Sequence, residues 1–123
     1  AGVLAEEGAF ASALYADISA SGAAFLARSG GAVEAFMSFA DACDVGYSAD
    51  GAWLDAGMAN ATGCGVAFTA ANGALLDASD ACASGATAAY ATSFNAGIVA
   101  TGYACGAVAT TADNDTSNWI LGI

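Results

Sequence analysis

Residues 74–111 read ALLDASDACASGATAAYATSFNAGIVATGYACGAVATT, and the predicted fold depends on this segment more than on any other. The segment is rich in alanine and contains no proline, and these residues have the highest and the lowest helix propensity, respectively. When successive residues are turned by about 100°, the larger apolar side chains fall on one face, which predicts a long amphipathic helix. The residues on that face are Leu76, Ala83, Tyr90, Phe94, Ile98, Cys105 and Val108.

The same periodicity predicts helices in the rest of the chain. The first segment ends in Arg28 followed by Ser29 and two glycines, which is a typical helix stop. Strict alternation over four or more large apolar residues occurs nowhere, so no strand is predicted. We therefore expect one all-α, bundle-like domain over residues 1–123, with close packing through small residues and an apolar C-terminal tail at 119–123. The four predicted helices are 3–28, 32–44, 50–71 and 74–111.

One internal recurrence is visible in the sequence. Asp41-Ala42-Cys43 returns as Asp80-Ala81-Cys82, and two related helical hairpins would produce such an echo. In a chain with 36 alanines among 123 residues, short matches of this kind also arise by chance. We attribute the recurrence to chance, and no repeat architecture is predicted.

The composition excludes several classes of function. The chain has no lysine, histidine, glutamine or proline, and Arg28 is the only basic residue beside 12 acidic ones, for a net charge of −11. Without histidine it lacks the most common general base and metal ligand. With a single cation it lacks a surface that neutralises nucleic-acid phosphates. No catalytic or metal-binding residue is predicted, and the expected partners are other protein subunits, with no nucleic acid.

A second explanation of the composition concerns the residue identities themselves. Short side chains are abundant, with 36 Ala, 16 Gly, 10 Ser and 8 Thr, whereas long flexible side chains are scarce. The same bias would arise if residues had been assigned from the visible size of their side chains. On that interpretation the aromatic positions are dependable, whereas individual charges and cysteines are not.

The four cysteines, Cys43, Cys64, Cys82 and Cys105, are candidates for disulfide bonds or for attachment of a group. Their spacings match no zinc-binding or CxxC pattern, and the three ways of pairing them stay open. In a continuous helix Cys82 and Cys105 would lie about 35 Å apart, too far to bond to each other. Single cysteines in an all-helical protein also resemble the pigment sites of phycobiliproteins, but Cys82 lacks the Arg and Asp that follow the cysteine in that family. The cofactor is therefore left unknown.

Two stretches without charged residues, 56–76 and 81–112, are long enough for a membrane-spanning hairpin, because a spanning helix needs about 20 mainly apolar residues. They are rich in small and polar residues, and no lysine or arginine marks a cytoplasmic side. The alternative function is therefore a helical subunit of a membrane complex, with pigment binding of the photosynthetic type as one version. An extracellular or membrane-associated location is favoured.

The C-terminal tail supplies the candidate subunit contact, because an apolar terminus is otherwise exposed to water. Its contact residues are Trp119, Ile120, Leu121 and Ile123. The sequence offers no catalytic constellation, and its uncharged segments exceed what one thin bundle buries. The resulting hypothesis is a non-enzymatic structural or scaffolding subunit of a larger multi-subunit or filamentous assembly.

Overall fold

The computed structural model describes residues 1–101, 111–113 and 119–121, with side chains described for 1–101 and 119–121. These residues form short β-strands joined by tight turns, and no helix occurs among them. The predicted all-α bundle is therefore wrong, and so are its helices at 3–28, 32–44, 50–71 and 74–111. In the described part of the chain no helix is long and apolar enough to cross a membrane.

Sixteen strands follow one another through the described residues. Their bounds are β1 Val3–Ala5, β2 Phe10–Ser12, β3 Asp17–Ser19, β4 Ala23–Arg28, β5 Ala32–Glu34, β6 Phe39–Asp41, β7 Val45–Asp50, β8 Trp53–Asp55, β9 Asn60–Thr62, β10 Val66–Ala71, β11 Leu75–Asp77, β12 Cys82–Ser84, β13 Ala88–Ser93, β14 Gly97–Val99, β15 Thr111–Asp113 and β16 Trp119–Leu121. Most of them have only three residues. Because such strands are too short to show an alternating pattern over four residues, they leave no recognisable strand signal in the sequence.

The strands stack into three parallel sheets. The first sheet has the order β1-β4-β7-β10-β13-β15, the second β2-β5-β8-β11-β14-β16, and the third β3-β6-β9-β12. Neighbouring strands in a sheet always come from successive circuits of the chain, and every pair is parallel. The fold is a parallel β-solenoid, in which one strand from each sheet makes one coil.

The usual length of one coil is 22 residues, which is the separation between Glu6 and Arg28, side chains that are paired across neighbouring coils. Phe10 is in register with Ala32 at this separation, whereas the pairing of Ala32 with Trp53 is one residue shorter. The shorter coil has its turn at 51–52, where the coil before it has a longer turn at 29–31. The recurrence of Asp41-Ala42-Cys43 as Asp80-Ala81-Cys82 does not mark the repeating unit. The expectation of no repeat architecture is nevertheless wrong, because the coils are repeats.

The interior of the solenoid is built from ladders of equivalent residues. One ladder is aromatic, with stacked neighbouring rings whose centroids are 4.9, 5.1 and 5.7 Å apart along Phe25, Tyr47, Phe68 and Tyr90. A second ladder in the second sheet is aliphatic and consists of Val33, Leu54, Leu76 and Ile98. Most of the other buried apolar residues are alanines. The interior is narrow, so small side chains fill it, which gives the alanine-rich composition a structural reason.

The corners of the coil require left-handed backbone. One corner position is occupied by Ala20 and Ala42 in the first two coils, with φ of 52° and 53°. The same position is occupied by Gly63 and Gly85 in the next two coils, with φ of 64° and 69°. Glycine adopts this conformation without the steric cost that a Cβ atom brings, so the corners explain part of the glycine content.

The helix prediction failed because one side of the coil contains nearly the same number of residues as two turns of an α-helix. A coil of this length with three sides has about 7.3 residues per side, and two turns of an α-helix take about 7.2 residues. Leu76, Ala83, Tyr90 and Ile98 therefore face inward from successive sides of the coil, although they also fit one helix face. Phe94, assigned to the same helix face, lies at a corner and is 65% exposed.

Candidate interaction face

The outer surface of the second sheet carries a row of large apolar side chains. At one register position the successive coils place Phe10, Ala32, Trp53, Leu75, Gly97 and Trp119. The four large residues of this set, here called the apolar row, are Phe10 (62% exposed), Trp53 (39%), Leu75 (38%) and Trp119 (44%). Equivalent outward residues of a parallel sheet lie one strand spacing apart, about 4.8 Å. The row therefore runs along the solenoid axis.

A second row lies two positions further along each strand, on the same outer surface. Its charged members, here called the acidic row, are Glu34, Asp55 and Asp77. Two of these carboxylates are held by the turns that follow them. Asp55 accepts a hydrogen bond at 2.9 Å from the Gly57 N–H, and Asp77 accepts bonds at 2.9 and 2.6 Å from the N–H and hydroxyl of Ser79. The carboxylates are thereby fixed beside the apolar row.

No basic side chain lies on this face in the described part of the chain. Arg28, the single cation of the sequence, ends β4 in the first sheet. There its Nε lies 2.6 Å from a carboxylate oxygen of Glu6. The negative charge of the acidic row is therefore not compensated from within the described residues.

The structure separates the residues of the predicted C-terminal contact. Trp119 and Leu121 point outward from β16 and are exposed, so both lie on the face that carries the apolar row. Ile120 between them points inward and packs against the core. Ile123 lies outside the described residues. Residues 119–121 of the apolar C-terminal segment thus form the strand at one edge of the second sheet.

Sequence reasoning missed the three other residues of the apolar row. Phe10, Trp53 and Leu75 fall within three different predicted helices, 3–28, 50–71 and 74–111, so the sequence does not bring them together. The signal that could have found them is their recurrence near multiples of the coil length, together with Trp119. Gly97 interrupts the row in sequence but not in space, because the indole of Trp119 covers it.

Among the described cysteines, Cys43 and Cys64 lie next to each other in neighbouring coils. Cys43 and Cys64 occupy the same position of successive coils, and both are free and buried. Cys82 is in β12, in register with Asn60, and is disulfide-bonded. Cys105 lies outside the described residues. The predicted separation of Cys82 from Cys105 depended on a continuous helix, and that helix is absent at Cys82, which lies in a strand.

A polar pair interrupts the apolar interior. The Tyr47 hydroxyl lies 3.0 Å from the Ser38 hydroxyl and donates to the backbone carbonyl of Asn60 at 3.4 Å. Tyr47 and Ser38 are both fully buried. Burial raises the pKa of the Tyr47 phenol, and the hydrogen bond with Ser38 opposes only part of that effect. Tyr47 and Ser38 therefore lie in the core as a hydrogen-bonded pair of uncharged hydroxyl groups.

The described residues form no pocket and contain no group of three or more His, Cys, Asp or Glu side chains placed to hold a metal ion. Of the exposed surfaces, the outer face of the second sheet carries the apolar row and the acidic row side by side. Comparison with protein-family models, curated proteins and solved structures finds no match for this chain.

Proposed function

We propose that this chain is a non-enzymatic structural subunit of a larger protein assembly, and that it joins a basic partner subunit through the outer face of the second sheet. The observation that carries the proposal is the apolar row, because four large, exposed apolar side chains share one register position on the outer surface of the second sheet. Exposed apolar groups of this kind on a folded protein are typical of interaction sites. Tryptophan, present twice in the row, is among the residues most enriched where binding energy is concentrated.

The negative charge of this face favours a basic partner over a second copy of the chain. The acidic row has no described cation beside it, and the whole chain has a net charge of −11. Bringing two such faces together would place like charges near one another, which costs several kcal/mol in protein interfaces. A partner with lysine or arginine beside apolar side chains matches both rows at once.

The spacing of the rows fits an amphipathic helix laid along the solenoid axis. Residues that share one face of an α-helix recur every three or four positions, which is about 4.5 or 6 Å along its axis. The coils are separated by about 4.8 Å. Apolar and basic residues in adjacent rows of one helix would therefore meet the apolar row and the acidic row over several coils. The partner expected here is a basic amphipathic helix.

The probe for this proposal is a synthetic helical peptide with one row of leucines and one neighbouring row of lysines. A matched peptide with glutamate in place of lysine serves as the control. We expect the basic peptide to bind with a change in tryptophan fluorescence, because Trp53 and Trp119 lie in the contact. The affinity should fall as salt concentration rises, since the acidic row is solvent-accessible.

Variants distinguish binding at this face from nonspecific attraction of a basic peptide to an acidic protein. Trp53→Ser should weaken binding of the basic peptide at least about tenfold, as expected for a central aromatic contact. Asp55→Asn with Asp77→Asn should weaken it and reduce its salt dependence. Asp41→Asn with Asp44→Asn removes the same charge away from this face and should change affinity much less. Equal losses from the two double variants, or tight binding of the glutamate peptide, would refute the proposal.

A further inference from the structure

We propose that Cys43 and Cys64 together form a binding site for one soft metal ion that takes two thiolate ligands in line. This site is independent of the interaction face described above. The two cysteines are buried, with 3% and 2% of their surface exposed, and neither belongs to a disulfide. They are stacked rather than isolated, so the site consists of two ligands related by one coil spacing.

Backbone hydrogen bonds on both sides fix the separation of the two coils at this point. The N–H of Ala42 donates to the carbonyl of Thr62 at 2.8 Å. The N–H of Gly65 donates to the carbonyl of Cys43 at 3.1 Å. These bonds bracket the cysteine position and hold the coils at the ordinary spacing of parallel strands, about 4.8 Å.

The two thiols also have the same orientation. The sulfur of Cys43 lies 3.4 Å from the carbonyl oxygen of Asp41, two positions earlier. The sulfur of Cys64 lies 3.7 Å from the carbonyl oxygen of Thr62, again two positions earlier. Because equivalent thiols point the same way from equivalent backbone, the separation expected for their sulfurs is close to the coil spacing of about 4.8 Å.

That separation suits a bridging metal ion better than a disulfide bond. A disulfide needs an S–S distance of about 2.05 Å and Cβ atoms about 3.8 Å apart, so the coils would have to approach one another. A metal–thiolate bond is about 2.3 Å long, and two such bonds in line span about 4.6 Å. This span lies within a few tenths of an ångström of the coil spacing. The stack therefore accommodates the metal without backbone movement.

The surroundings favour a cation between the sulfurs. The Cys43 sulfur also lies 3.9 Å from the carbonyl oxygen of Ile18, and the Cys64 sulfur lies 3.7 Å from that of Ala40. The negative ends of these carbonyl dipoles point toward the sulfur atoms. Burial raises the pKa of the Cys64 thiol by disfavouring its charged form.

The number of ligands determines the class of ion. Zn²⁺ takes four ligands in structural sites, and no group of three or more His, Cys, Asp or Glu ligands occurs in the described residues. Soft ions with a preference for thiolate, such as Cu⁺, are satisfied by fewer ligands. With Hg²⁺ the reaction is 2 RSH + Hg²⁺ → RS–Hg–SR + 2 H⁺, and the product has no net charge, which suits a buried site.

The test is a titration of the folded protein with Hg²⁺ in weak buffer, without reductant so that the Cys82 disulfide stays intact. Bound metal is followed by ultraviolet thiolate-to-metal absorbance and released protons by a pH indicator. We expect an end point of one ion per chain with two protons released per ion. The double variant Cys43→Ser, Cys64→Ser gives the background, and Zn²⁺ should produce neither signal.

A relocated pair provides the matched control. Ala86 lies one coil beyond Cys64 at the same position, as the register of β9 with β12 and of β10 with β13 shows. Cys43→Ala combined with Ala86→Cys should therefore restore one ion and two protons per chain. Cys43→Ala combined with Ala42→Cys moves the thiol to an exposed corner and should not.

Two results would refute the proposed metal site. One is an end point of two ions per wild-type chain with one proton released by each, which means that the thiols react separately. The other is equal behaviour of the relocated pair and its corner control. Far-UV circular dichroism of each variant verifies that the comparison is made between folded proteins.

Discussion

Truncation of Phe68 tests the aromatic ladder against the helical alternative. Phe68 is fully buried, and its ring stacks on Tyr47 at 5.1 Å and on Tyr90 at 5.7 Å. Replacing a buried phenylalanine by alanine generally costs about 3–5 kcal/mol, from lost burial and the cavity left behind. Two ring contacts of about 0.5–1.5 kcal/mol each belong to that loss. Phe68→Ala should therefore remove a large part of the total stability, which for a domain is about 5–15 kcal/mol.

The assay is urea unfolding followed by circular dichroism, with Phe94→Ala as the matched control. Phe94 is 65% exposed, so its truncation should change the free energy of unfolding by no more than about 0.5 kcal/mol. The helical prediction places Phe94 on the apolar face of the helix 74–111 and makes its truncation costly as well. Similar losses for the two variants, or a loss below about 1 kcal/mol for Phe68→Ala, would contradict the solenoid interior described above.

Three further perturbations probe packing, titration and surface charge. Gly31→Ala should destabilise by about 1–3 kcal/mol in urea unfolding, because its Cβ would overlap the backbone oxygen of Ala5, whereas Gly22→Ala, with open space at that point, should cost much less. Tyr47→Phe should cost about 1 kcal/mol at pH 7. Above pH 10 the Tyr47 phenol loses its proton in the unfolded chain but keeps it in the folded protein. The free energy of unfolding of the wild type should therefore fall by up to about 1.4 kcal/mol per pH unit because of this group. Unfolding measured over a pH series should not show this contribution in Tyr47→Phe. Arg28→Ala removes an exposed ion pair and should shift the thermal midpoint only slightly, by the equivalent of about 0–1 kcal/mol, less at high salt.

The apolar pattern of the sequence indicates several residues that are buried in the structure, but it indicates the wrong architecture for them. Leu76 and Ile98 lie on the apolar face of the predicted helix 74–111, and both are fully buried in the structure. Their side chains are buried because the coil turns a new side inward after roughly the length of two helical turns. A helix returns to the same face over that length, so periodicity within one segment does not distinguish the two folds.

The sequence pattern that distinguishes a solenoid from a helical bundle extends over a whole coil. Phe25, Tyr47, Phe68 and Tyr90 recur at nearly equal intervals of one coil, a period that no single helix explains. Comparison of whole coil-length units would have aligned these aromatics. The recurrence that was noticed pairs Cys43 with Cys82, which occupy different positions of the coil, because Cys82 is in register with Asn60. It could not reveal the unit.

The candidate face was predicted only where it coincides with the C-terminal segment. Trp119 and Leu121 stood out as apolar residues near the end of the chain, whereas Phe10, Trp53 and Leu75 lie far apart in sequence. Their common surface depends on coil register, which is a property of the stacked structure. The acidic row was overlooked for the same reason, since its carboxylates are each separated by a whole coil.

The most direct test of the solenoid is a nuclear Overhauser experiment on the aromatic residues of the folded protein. The structure predicts close ring contacts between Phe25 and Tyr47 and between Tyr47 and Phe68, together with backbone contacts between equivalent residues of neighbouring coils. Backbone contacts three and four residues apart throughout 50–71, without contacts between those rings, would contradict it.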